Sequence, residues 1–151
     1  MKKLNIESFC PHKPLFMAIV GANLTEGSDT DGGSSATTAS ITPTGNALVL
    51  VHVSARTNIT ADTNEPTLSG NDLTWVVEET RVYDTSSASR KRITVFRGMG
   101  ASPSSGAITI DFGGQNQTDI HWQVDEFTGV DTSGTNGSGA IVNTGTPTEG
   151  Y

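Results

Sequence analysis

The strongest apolar run of the chain lies at residues 47–53 (ALVLVHV), directly after the turn-forming residues 43–46 (PTGN). Seven residues are too few for a helix of normal length, and valine fits a pleated, half-buried surface. Apolar side chains occupy both alternating positions of this run. We therefore predict a strand that is apolar on both faces and lies in the centre of a sheet.

Residues 73–83 show a different pattern, because apolar residues alternate there with polar ones. Leu73, Trp75 and Val77 would share one face of a strand, since successive side chains point to opposite faces. Further strands are predicted at residues 15–22, 37–42, 93–99, 107–112 and 120–127, with a brief apolar pair at 141–142.

Turn-forming residues bound each of these segments. We expect 93–99 and 107–112 to form a hairpin-like unit, with loops at 26–35, 84–89 and 129–140 and a polar connection at 56–66. About eight short strands without an amphipathic helix predict an all-β, antiparallel β-sandwich of jelly-roll or Ig-like topology. It would span residues 15–151 as a single domain, preceded by an extended N-terminal arm at residues 1–14.

Composition narrows the function. The chain has 151 residues, so one domain is expected, and its 17 glycines are typical of many tight turns. Its net charge is −7, whereas phosphate binding needs a positive surface, so a nucleic-acid partner is not expected. The basic run 90–92 (RKR) is interpreted as a charged strand end that discourages edge-to-edge pairing. Cys10 is the single cysteine, which excludes an intrachain disulfide.

Export and membrane signals are weak. Met1 is followed by two lysines, as in a signal peptide, but polar residues interrupt the next ten positions, and the apolar run 15–20 is short. A bilayer crossing needs about 20 apolar residues, and no segment approaches that length. We expect a soluble protein without a membrane partner.

Residues able to carry chemistry are scattered. His12, His52 and His121 lie far apart, without zinc-ligand spacing. Asp125 and Glu126 are adjacent in a strand and would point to opposite faces, so they cannot serve one pocket. Glu126 would share the face of Trp122 and need hydrogen-bond partners there. We therefore expect no catalytic site and no cofactor.

Two candidate binding sites remain. Asp29 and Asp31 resemble the start of a calcium loop, although Ser40 stands where the twelfth, bidentate ligand would be required. The loop 113–119 offers polar groups for a glycan, namely Gln115, Asn116, Gln117 and Asp119.

The aromatic residues Trp75, Trp122, Tyr83 and Tyr151 also raise the possibility of glycan binding, because sugar-binding sites use exposed aromatic platforms. Both tryptophans alternate with aliphatic residues, which favours a place in the core. Assembly is therefore preferred over glycan recognition. An exposed aromatic pair beside residues 113–119 would reverse that order.

Several stretches resemble a β-sandwich module of bacteriophage structural proteins, which also occurs in uncharacterised secreted bacterial proteins. They are 46–53 (NALVLVHV), 73–77 (LTWVV), 92–112 and, most specifically, 122–131 (WQVDEFTGVD), which is similar to the module's W-x-x-x-E-F-x-G-V-D element. The resemblance spans residues 46–139. It implies a non-enzymatic capsid-decoration or tail-surface protein that contacts copies of itself and a major capsid or tail protein at the virion surface. The alternative is an extracellular carbohydrate-binding or adhesin-type module.

The chain departs from this module after residue 131. Further long strands would follow there, whereas the sequence ends at Tyr151 after a brief apolar pair. Either the sequence is truncated or a neighbouring subunit supplies the missing strand by β-augmentation. The arm at residues 1–14 is the candidate for reaching into a neighbour.

Overall fold

A computed structural model describes residues 18–86 and 89–142, and the side chains of residues 84–86 are outside the description. Most of the segments predicted as strands lie in two antiparallel sheets. The strands are β1 (Val20–Asp29), β2 (Ser35–Thr37), β3 (Leu48–Thr57), β4 (Thr67–Ser69), β5 (Val76–Ser86), β6 (Ser89–Gly98), β7 (Thr109–Asp111) and β8 (Asp119–Thr128), and a short 3-10 helix follows at Ser138–Ala140.

The large sheet has the order β1-β8-β3-β6-β5, and the small sheet has the order β2-β7-β4. Strand β3 is central, as its two apolar faces predicted. Strand β1 pairs with β8, β2 with β7 and β3 with β6, which is the nested pairing of a jelly roll. The fold departs from that plan at β5, which extends the large sheet beside β6.

The core lies between the two sheets. Alternate residues of β3 point inward and are almost fully buried, among them Val49, Val51 and Val53. Phe96 and Val124 join them from the neighbouring strands. From the small sheet side come Ile110, which lies in β7, and Ile108 and Phe112, which flank that strand. Full burial of each such side chain stabilises the fold by about 1.5–3 kcal/mol. The all-β sandwich prediction is confirmed, whereas the predicted arm at 1–14 lies outside the described residues.

The first strand differs from its prediction. It begins at Val20 and continues through Asp29, so the expected loop at 26–35 is wrong for its first four residues and for Ser35, which begins β2. Pairing with β8 places Gly27 opposite Trp122, and a Cβ atom at Gly27 would lie 2.6 Å from that indole ring. The turn-like composition therefore reflects a close approach to a large side chain. Residues 15–17 of the predicted strand are outside the described ranges.

The predicted hairpin between residues 93–99 and 107–112 is also wrong. Strand β6 belongs to the large sheet and β7 to the small one, so the connecting residues cross from one layer to the other. Both segments bury an apolar face, with Phe96 on one and Ile110 on the other. Two such faces are covered better by packing against each other than by lying side by side in one sheet.

Strand ends also differ from the prediction. Strands β5 and β6 extend into the predicted loop 84–89, whose residues 87 and 88 are not described. The predicted strand 37–42 is reduced to β2 and an isolated bridge between Ile41 and Gly106. The prediction contained no counterpart of β4, and the pair 141–142 is not a strand.

The prediction that the basic run 90–92 discourages edge-to-edge pairing is wrong, because β6 lies between β3 and β5 and is not an edge strand. Arg90 pairs with Asp62 at 3.2 Å, and Arg92 donates to the Thr63 carbonyl at 2.7 Å and to the Thr80 hydroxyl at 2.8 Å. The two arginines therefore tie the β3–β4 connection to the large sheet. Their charge is used inside the fold rather than against other molecules.

Candidate functional site

Among the residues considered for acid–base chemistry, Glu126 has hydrogen-bond partners that hold it in the fold. Glu126 lies on the same strand face as Trp122, as predicted, and accepts hydrogen bonds from the Thr44 amide (2.9 Å) and hydroxyl (3.1 Å). His52 faces away from the core, opposite Gln123, and His121 is exposed. Among the described residues no three His, Cys, Asp or Glu side chains form a group that could hold a metal ion.

The calcium candidates form a local turn. The Asp31 amide donates to the Asp29 carboxylate at 2.9 Å, so one of the two carboxylates is engaged by backbone two residues further on. Calcium requires six to eight oxygen ligands. Asp29 lies in β1, and Asp31 is exposed in the loop that follows it.

Both tryptophans pack against the core, as their spacing predicted. The Trp75 indole N–H donates to the Gly70 carbonyl at 3.3 Å, whereas the buried Trp122 Nε1 has no partner among the described residues. Tyr83 is 57% exposed but lies on the outer face of the large sheet, within 3.4 Å of the Ser54 hydroxyl. No exposed aromatic pair therefore lies beside residues 113–119 in the described structure, and Tyr151 is outside it.

The polar loop predicted to contact a glycan is largely engaged in holding the fold. The Gln115 side chain accepts from the Asn64 amide at 2.6 Å and donates to the Asp62 carbonyl at 2.9 Å. Asp119 forms an ion pair with Arg56 at 2.5 Å. Of the four glycan candidates, Gln115 and Asp119 are used in structural contacts, and the buried Gln117 amide donates to Gln115. Asn116 and Gln117 are the two that line a pocket.

Asn116 and Gln117 line a polar pocket at one end of the sandwich. Its volume is about 300 Å³, and the residues that line it are Thr30, Asp31, Gly32, Asn58, Asn116, Gln117 and Thr118. The pocket brings together one calcium candidate and two glycan candidates that are far apart in sequence. Thr30, Asn58 and Thr118 were not among the predicted site residues, because only the meeting of three loops makes them neighbours.

The second notable feature is the outer edge of β1. One side of this ten-residue strand pairs with β8, and no strand of the described ranges pairs with the other. Two apolar side chains at the start of β1 are exposed, Ile19 by 66% and Val20 by 59%. The edge therefore offers unpaired backbone groups together with exposed apolar surface.

The predicted loop 129–140 is attached to the large sheet. Arg97 donates to the carbonyls of Thr135 (3.0 Å) and Asn136 (2.8 Å). Within the loop, the backbone amide and hydroxyl of Ser133 hold the pKa of Asp131 below its ordinary value.

Comparisons with known proteins do not assign the chain to a family. No family model, no curated protein and no solved structure matches it significantly. The described residues also contain no helix long and apolar enough to cross a bilayer. Function is therefore inferred from the polar pocket and the edge of β1.

Proposed function

We propose that this protein is a non-enzymatic structural module that builds or decorates a particle through contacts between subunits. Its partners are copies of itself and a major capsid or tail protein, and its place is the virion surface. The placement comes from the resemblance of residues 46–139 to phage structural modules. A jelly-roll sandwich is compatible with it, since viral capsid and lectin domains both use this architecture, although the fold alone does not choose between them.

The observation that carries the proposal is the unpaired side of β1. Exposed edges invite pairing with another chain, and proteins that remain monomeric usually blunt them with bulges, prolines or charges. Strand β1 has one irregularity, between Asn23 and Thr25, and contains no proline or lysine. An edge of this length and character suits the addition of a strand from another chain.

The residues that precede β1 fit this edge in length and charge. Ten strand residues extend about 33 Å, and 14 residues in extended form reach about 46 Å. Residues 1–14 contain three lysines and one glutamate, so their net charge of +2 leaves −9 on the remaining 137 residues. Strand β1 itself has Glu26 and Asp29 as its charged residues. We therefore propose that the arm of one copy pairs with β1 of the next.

Light scattering coupled to size-exclusion chromatography tests this directly. The full chain is expected to form oligomers, and a chain lacking residues 1–14 is expected to elute as a monomer. Glu26→Lys should weaken assembly several-fold, since it places a like charge beside the basic arm. Higher salt should reduce the effect of that substitution.

A chain lacking residues 143–151 is the matched control and should assemble as the full chain does. A full chain that is monomeric at all concentrations would contradict the proposal, as would oligomers that persist without the arm. The virion placement has its own test. Particles produced without this protein should lose resistance to heat or osmotic shock, and equally robust particles would count against that placement.

A further inference from the structure

The polar pocket is held by a network of backbone hydrogen bonds between its three loops. The Gln117 amide donates to the Gly33 carbonyl (2.9 Å), which joins the β7–β8 loop to the β1–β2 loop. The Thr118 amide donates to the Arg56 carbonyl (2.6 Å), which joins it to the end of β3. Because these bonds belong to the fold itself, the pocket is present before any ligand arrives, which lowers the entropic cost of binding.

Gln117, which lines the pocket, carries a buried acceptor without a hydrogen-bond partner among the described residues. Gln117 is 1% exposed, and its Nε2 donates to both the backbone and the side-chain oxygen of Gln115, each at 2.9 Å. These two bonds determine the orientation of the amide, so Oε1 is the atom left without a hydrogen bond among the described residues. A buried carbonyl without a donor costs about 1–3 kcal/mol, and a side-chain adjustment that exposes Oε1 to the pocket would let a ligand with O–H or N–H groups recover this cost.

The lining discriminates between classes of ligand. Asp31 repels anions, and no Lys or Arg lines the pocket to attract them. Every lining residue is polar or glycine, so an apolar ligand would leave hydrogen-bonding groups unpaired. A calcium ion would find one carboxylate, where most protein sites supply several. Amides, hydroxyls and one carboxylate together suit a neutral ligand that is rich in hydroxyl groups.

We propose that this pocket binds one unit of a neutral carbohydrate, with Asp31 and Gln117 as acceptors and Asn58 and Asn116 as groups that both donate and accept. A volume of about 300 Å³ lies at the lower limit of small-molecule sites, which favours one or two sugar rings over a longer chain. No aromatic residue lines the pocket, so affinity depends on hydrogen bonds and should be weak, with a Kd of about a millimolar. This inference does not rest on the pairing proposed for the edge of β1.

Ligand-observed NMR tests the proposal on the full chain, with the methyl glycosides of glucose, galactose, mannose and N-acetylglucosamine as probes. We expect saturation transfer to at least one of them. Asn58→Ala and Asp31→Asn should each weaken that binding about tenfold, because each removes or alters a hydrogen-bonding group that lines the pocket. Asp72→Asn is the matched control, since Asp72 is also an exposed loop aspartate but lies outside the pocket, and it should leave binding unchanged.

Several outcomes would overturn the inference. Saturation transfer to none of the four glycosides would do so, as would binding that survives both pocket substitutions or is equally reduced by Asp72→Asn. Titration with calcium chloride separates a cation site from a carbohydrate site. If calcium shifts the NMR signals of Asp31 and none of the glycosides binds, the pocket is a cation site and the carbohydrate proposal is wrong.

Discussion

The two edges of the large sheet are built differently. Strand β5 has two irregularities in its pairing with β6, and Glu79 and Arg81 form an ion pair along it at 3.2 Å. Glu78 on the same strand pairs with Arg97 of β6 at 2.5 Å. Strand β1 has one irregularity, and its side-chain link to β8 is the hydrogen bond from Asn23 to Asp125 at 3.1 Å.

The difference indicates which edge is closed and which is available. Bulges and charges are the usual means of preventing an edge from pairing with another chain. Strand β5 has two irregularities and four charged residues, whereas β1 has one irregularity and two charged residues. The edge strand β5 is therefore held to its own sheet by an ion pair, whereas the unpaired side of β1 is suited to pairing with another chain. Three pairs of substitutions test this contrast.

The largest effect is expected from Arg97→Ala. Arg97 and Glu78 have side chains only 14% and 18% exposed, so removal of the guanidinium leaves a mostly buried carboxylate unpaired and frees the 129–140 loop. We expect the free energy of unfolding to fall by about 2–3 kcal/mol. Asn23→Ala on the β1 side should cost about 0.5 kcal/mol.

Urea denaturation followed by tryptophan fluorescence measures both substitutions. Equal losses in the free energy of unfolding would show that β5 and β1 are held to the sheet with similar strength. The proposed difference between the two edges would then be wrong.

A smaller effect is expected from Gly27→Ala in β1. The new methyl group would lie 2.6 Å from the Trp122 ring, so the indole must move, at a cost of about 1–2 kcal/mol. Gly106→Ala is the control, since the nearest atom to its Cβ would be 3.9 Å away, and it should change the melting temperature little. If Gly27→Ala and Gly106→Ala have the same melting temperature, the Trp122 ring does not limit the size of the residue at position 27.

The smallest effect is a difference between the tryptophans. Phenylalanine in place of Trp75 removes a large ring and its hydrogen bond to Gly70, whereas at Trp122 it removes a similar ring and an N–H without a partner. Trp75→Phe should therefore be more destabilising than Trp122→Phe by about 1 kcal/mol. Chemical denaturation of the two variants gives this difference, and the opposite order would indicate that the Trp122 indole has a partner after all.

The candidate sites show how far sequence analysis reached. Residues 113–119 were recognised as polar, and Asn116 and Gln117 do line a pocket, but Asp119 belongs to an ion pair with Arg56. Spacing cannot separate these roles, because an amide or carboxylate in a loop can serve a ligand or a structural partner equally well. The pocket also needs Asn58, which is far away in the chain and was not selected.

The class of the fold could be predicted from local pattern alone. Alternation at Leu73, Trp75 and Val77 and the doubly apolar run 47–53 place side chains on defined faces, because the period of a strand is a local property of the backbone. The central position of β3 and the strand face of Glu126 followed from that period.

The pairing of the strands depends instead on tertiary contacts. The extension of β1 through residues 26–29 requires β8 as a partner, and the separation of β6 and β7 depends on burying two apolar faces against each other. Both depend on contacts between residues distant in the chain, and the free energy of such contacts cannot be deduced from a local sequence pattern. The unpaired edge of β1 and the pocket between three loops arise from those contacts, and the fold therefore had to be known before either could be seen.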